Sequence, residues 1–84
     1  MLKLKEITLE ILKPSDLQII ELLHALEKVA GVKKVEITLT DFEKSTETLK
    51  VSISGASLDF ERVSEVVAHS GGIIQTVQHI VGER

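Results

Sequence analysis

Asp41, Glu43 and Glu47 crowd into the stretch DFEKSTE, three carboxylates within seven residues. Hard cations such as Ca²⁺ and Mg²⁺ take their ligands from several oxygens of this kind at close range. The spacing lacks the alternation and the obligatory Gly of a calcium loop, so one chain supplies too few rigid oxygens. The expectation is therefore a divalent cation, Ca²⁺ or Mg²⁺, held by Asp41, Glu43 and Glu47 together with their copies or with acidic residues of a neighbouring subunit. No other cofactor and no catalytic residue is expected within a single chain.

A second set of carboxylates, Glu6, Glu10 and Glu36, falls among Thr8, Thr38, Thr40, Ser52 and Ser54. Paired carboxylates do acid–base work when burial raises one of them. Here they belong to a polar sheet face, whose simpler use is contact with water or with another subunit. His24, His69 and His79 lie on two helices and a strand, without the short spacings of a metal site. Gly71-Gly72 follows a helix instead of opening one, which makes it a helix terminator and not a phosphate cradle. The chain has no Cys, so disulfides, thiolate metal sites and thiol catalysis are excluded.

The elements that position these residues can be read from periodicity. In KEITLEIL, Ile7, Leu9 and Ile11 alternate with Glu6, Thr8 and Glu10, the period of a strand with one wet face. It contains no Gly or Pro and is suited to the centre of a sheet. Ser15-Asp16-Leu17-Gln18 has the form of a capping box and predicts a helix to about Ala30, with Ile19, Leu22, Leu23, Leu26, Val29 and Ala30 inward. Val32 to Phe42 and Thr48 to Ser54 alternate as two strands joined by a long polar loop. Asp59 caps a second helix, with Leu58 placed to staple onto Val63 and with Phe60, Val63, Val66, Val67 and Ser70 in one stripe. Ile73 to Val81 is the last strand, with apolar residues on both faces.

Each of the first three strands has one apolar side, so both helices must share one sheet face. A right-handed crossover with the hairpin inserted gives an antiparallel sheet of order 4-1-3-2. The expected fold is an α+β, ferredoxin-like βαββαβ sandwich, a single domain over residues 1–84.

The net charge is −3, and no basic cluster exceeds Lys33-Lys34. With only Phe42 and Phe60 as aromatics, neither phosphate neutralisation nor base stacking is provided for, and nucleic acid is not an expected partner. No apolar run approaches a membrane span and MLKLKEI reads as a strand, which predicts a cytoplasmic protein with no membrane partner. The absence of Asn and Cys and the single Met fit a thermophilic source.

Leu12-Lys13-Pro14, Gly31-Val32, Glu36-Ile37-Thr38-Leu39, Gly55, Leu58-Asp59-Phe60 and Gly71-Gly72-Ile73-Ile74, in this order, resemble a small archaeal family known as domain of unknown function two hundred and eleven. The resemblance covers nearly the whole chain. It implies a ferredoxin-like fold, an archaeal source and assembly into oligomers, and no established activity. The family pattern continues after the glycines with a run like His-Ser-Ile-Asp-Glu, where this chain has Gln75, Thr76, Val77, Gln78 and His79.

A small domain leaves apolar surface over, and such surface is a candidate interface. Leu17, Ile20 and His24 form a second stripe on the first helix, Phe42 lies in the hairpin, and Val77 and Ile80 lie on the last strand. These residues predict a homo-oligomer. The second strand is guarded by Lys33, Lys34 and Glu36 whereas the last has no Lys or Pro, so the last strand should be the covered edge. Contact between unlike patches would close a ring. Two functional classes follow: a non-enzymatic self-associating module that regulates through a ligand or ion at subunit boundaries, and a cofactor-free enzyme whose site forms between subunits from Glu6, Glu10 or His79.

Overall fold

The computed structural model describes residues 1–16 and 18–84. The elements are β1 (Lys3–Pro14), α1 (Ile19–Glu27), β2 (Val32–Glu43), β3 (Thr46–Gly55), α2 (Phe60–His69) and β4 (Ile73–Glu83). They form one four-stranded antiparallel sheet of order β2-β3-β1-β4, with α1 packed towards β2 and α2 towards β4. This is the expected ferredoxin-like sandwich, with β1 and β3 at its centre. Ile7, Leu9 and Ile11 of β1 and Leu49, Val51 and Ile53 of β3 are fully buried beneath Leu22, Leu26, Val29, Leu58, Val63 and Val67. Each such side chain contributes about 1.5–3 kcal/mol by leaving water.

α2 forms as its sequence predicts. Asp59 accepts a hydrogen bond from the Arg62 amide at 3.2 Å, satisfying one free donor of the first turn. At the other end Gly71 adopts a φ of 94°, the Gly72 amide bonds to the Val67 carbonyl and the Gly71 amide to the Ala68 carbonyl. That pair of bonds is the Schellman arrangement, and its left-handed position suits Gly. Phe60, however, is the first residue of the helix and is 38% exposed, so it does not belong to the core.

α1 departs from expectation at both ends. Ser15 does not cap it: the Ser15 amide donates to the Ser45 carbonyl at 2.8 Å, tying the chain to the hairpin tip. The helix starts after Gln18, which is extended and makes no side-chain cap bond, while its carbonyl accepts from Glu21 and Leu22. It ends at Glu27, and Ala30 is exposed. Gly31 then takes a φ of 89° against the segment after β3, where a Cβ would overlap the Ser57 carbonyl.

The hairpin also differs. β2 runs on to Glu43, which pairs with Thr46, so Lys44-Ser45 is a two-residue turn in place of a long loop. Lys44 supplies the left-handed conformation, with a φ of 39°, that Gly or Asn would signal in a sequence.

Candidate functional site

Tightening the hairpin redistributes its carboxylates. Leu39 stands opposite Leu49, and Asp41 opposite Thr48, which leaves Thr40 as an extra, bulged residue. Beyond it Phe42 faces Glu47 and Glu43 faces Thr46. Directly opposed residues project to the same side of a sheet, so Phe42 and Glu47 lie on the helix-bearing face with Leu49, and Asp41 and Glu43 on the open face. Glu47 is drawn into an ion pair with Lys13, whose ammonium also donates to the Pro14 carbonyl at 2.9 Å. Asp41 accepts from the Phe42 amide at 2.9 Å. Asp41, Glu43 and Glu47 thus lie on a strand pair and not in a loop, and one chain does not gather them. Among the described residues no three His, Asp or Glu side chains converge on a point where a metal ion could sit.

The bulge has a second effect. Leu39 and Phe42, three residues apart, both project to the helix-bearing face along the outer edge of β2, and they are 43% and 70% exposed.

β4 uses the same device twice. His79 and Val77 stand opposite Thr8 and Leu9, and Thr76 and Ile74 opposite Glu10 and Ile11, so Gln78 and Gln75 are the extra residues. Ile80 faces Ile7. Ile74, Val77 and Ile80 therefore share the helix-bearing face at a spacing of three, which accounts for a strand whose plain alternation looked mixed. Ile74 is half-buried, whereas Val77 and Ile80 are 45% and 63% exposed. α2 runs back along β4 for about 15 Å, the rise of its ten residues, a length that β4 covers in about five residues. Phe60, at the start of α2, is a further exposed apolar side chain.

The bulges correct one expectation. β4 lacks Lys and Pro, yet bulges are themselves a protection against the addition of a further strand. Its edge is guarded at the backbone, and what it leaves open is a row of side chains.

The remaining candidates are dispersed. Ile20 is 54% exposed on α1, and His24 is exposed with Nδ1 2.5 Å from Oε1 of Glu27. Leu17 lies outside the described residues. Glu6, Glu10 and His79 lie on the open sheet face opposite Val81, Thr76 and Thr8, respectively; a shallow recess of about 60 Å³ reaches Glu6 from the side of Lys34 and Glu36. Two larger clefts of about 550 Å³ each lie elsewhere. One separates the helices beside Lys28, Arg62 and His69; the other lies at the sheet end beside Lys13, Ser15 and Gly71. Sequence reasoning missed Leu39 as part of the exposed β2 row. The signal for Leu39 was its three-residue spacing to Phe42, legible only once a bulge is admitted.

The βαββαβ order and a sheet with both helices on one face define a ferredoxin-like protein whose outstanding surface features are two apolar edges. Residues 5–84 match the family described as DUF211, Uncharacterized ArCR, and the chain belongs to that family. It is 33% identical over 78 residues to uncharacterized protein MJ0319 of Methanocaldococcus jannaschii, an alignment that covers 93% of this chain and 80% of the relative. The expected family is thereby met. Among the described residues no helix is long and apolar enough to cross a membrane.

Proposed function

We infer that this chain is a non-enzymatic self-associating module, in which the β4 flank of one subunit packs against the β2 edge of the next. The observation that carries this reading is the pair of exposed apolar rows, Leu39 and Phe42 on β2 and Val77 and Ile80 on β4, at opposite edges of one sheet. Bulges at both edges block strand addition but turn these side chains to one face, which favours contact through side chains over sheet extension. Unlike patches at opposite edges make a heterologous contact, and such contacts close into a ring in a soluble assembly. Ile20 and His24 on α1, beside β2, extend the receiving surface.

On this reading the subunit boundary is where a small ligand or ion acts, and the module's role is regulatory. Asp41 and Glu43, both on the open face beside the β2 edge, are the carboxylates that the boundary offers to a divalent cation, with the other oxygens supplied by the neighbouring subunit. Multi-angle light scattering at micromolar concentration tests the assembly itself. The expected mass is a whole multiple of the 9.3 kDa chain larger than one; a monomer overturns the reading.

A further inference from the structure

Among the described residues the open face of the sheet carries no helix, and its side chains fall into rows fixed by the strand register. One row reads Glu36, Ser52, Thr8, His79 across β2, β3, β1 and β4; the next reads Thr38, Lys50, Glu10, Thr76. The centre is low. Thr8 is only 6% exposed, and its hydroxyl lies 3.1 Å from that of Ser52, so no bulky group stands between the flanking columns.

We propose that this face docks against the same face of a second copy, about a two-fold axis that runs along the strands midway between β3 and β1. Such an axis exchanges β3 with β1 and β2 with β4 while keeping each row level. Lys50 of each copy then faces Glu10 of the other, giving two equivalent ion pairs about the axis. In the adjacent row Ser52 faces Thr8 across the axis, and Glu36 faces His79. Thr38 faces Thr76. Every charged group in these two central rows meets an opposite charge or a hydrogen-bonding partner, and no two carboxylates or two ammonium groups are brought together.

This complementarity is a property of the pattern and not of charge alone, because the same residues in a different order would set Lys50 against Lys50. Packed sheets rotate by about 30° relative to one another, so the match holds at the two central rows and diverges at the corners. Lys34 and Asp41 lie at those corners, level with the apolar Val81 and Ile73, and remain in water. Two central rows over four strands cover about 20 Å by 14 Å, from the spacing between strands and the rise along them. That area falls below a standard stable interface, and the contact is a weak one. It uses neither apolar edge and stands apart from the ring contact.

Charge reversal tests it in a chain carrying Val77→Lys and Ile80→Lys, which removes the edge flank. In this parent, sedimentation equilibrium is compared for Glu10→Lys alone, Lys50→Glu alone, and an equimolar mixture of the two. Each reversal alone brings two like charges together at both symmetric contacts and is expected to weaken association at least tenfold. In the mixture, the chain with two lysines at the contact meets the chain with two carboxylates, and association is expected to return to the parent's level. Circular dichroism of each variant confirms that the fold persists. Unchanged association of either variant alone, or a mixture no heavier than its separate components, overturns the proposal. Neither result depends on whether the edge substitutions themselves lower the mass.

Discussion

Lys13 and Glu47 stand directly opposite one another on β1 and β3, and the lysine side chain, 1% exposed, is closed over in an ion pair with the carboxylate. Beside it, the Ser15 amide is bound to the Ser45 carbonyl. These two contacts tie Lys13 and Ser15 to the hairpin tip, and α1 starts only at Ile19.

Removing one partner of a buried pair leaves the other charge without compensation, a loss of about 3–5 kcal/mol. Glu47 retains some contact with water and Lys13 keeps its bond to the Pro14 carbonyl, which places Glu47→Gln near the lower end. The expected loss is about 3 kcal/mol, read as a fall in the urea midpoint at fixed protein concentration. Lys13→Met combined with Glu47→Gln should recover most of it, since replacing both members of such a pair is often close to neutral. A double variant as unstable as the single one would show that the lysine stem, and not its charge, is what the site requires.

Gly31 and Gly71 both have positive φ but differ in surroundings. A Cβ on Gly31 would overlap backbone of Ser57, whereas one on Gly71 meets nothing within 4 Å. Gly71→Ala should therefore lose only the left-handed penalty, about 1–2 kcal/mol. Gly31→Ala adds an overlap that the backbone must shift to relieve and should lose about 2–5 kcal/mol. Thermal melts of the two variants rank them, at about 4–8 °C per kcal/mol for a domain of this size.

The two helix starts make a matched pair. Asp59 caps α2 through the Arg62 amide, so Asp59→Ala should lower stability by about 1 kcal/mol. Ser15 contributes its backbone and not a side-chain cap to α1, so Ser15→Ala should stay within about 0.5 kcal/mol of the parent. Chemical denaturation of both checks the assignment.

Much of the architecture was legible because its signals were local. Ile7, Leu9 and Ile11 alternate without a break, and Asp59 with Gly71-Gly72 brackets α2 with two terminators that nothing competes for. The misread parts each involve a contact remote in sequence or a residue of the wrong type for its turn. Ser15 looked like a cap because the bond that captures it comes from Ser45, thirty positions away. The hairpin looked long because Lys44 occupies a left-handed position without being Gly or Asn. In β4, Gln75 and Gln78 resemble ordinary polar residues of a strand. Their role as bulges depends on the register with β1, and only that register turns Ile74, Val77 and Ile80 to one side. The candidate site was legible as individual exposed residues, Phe42, Val77 and Ile80 among them, but not as two rows on one face.

For the cation, the strand geometry divides the three acidic candidates. If the boundary site draws on Asp41 and Glu43, millimolar Ca²⁺ or Mg²⁺ should raise the melting temperature, Asp41→Asn should abolish the shift, and Glu47→Gln should preserve it despite lowering the starting value. Calorimetry showing no heat with either ion removes the cation from the account.

The central claim is that copies of this chain meet through the apolar row of β4. Val77→Lys and Ile80→Lys, made separately, place a charge in that row at sites already 45% and 63% exposed, so the folded monomer tolerates them. Analytical ultracentrifugation of each variant beside the native chain is the most direct measurement. The account predicts that both variants sediment with a mass no greater than two chains, with their circular-dichroism spectra unchanged, while the native chain sediments as a larger closed oligomer. Native mass retained by both variants would contradict it.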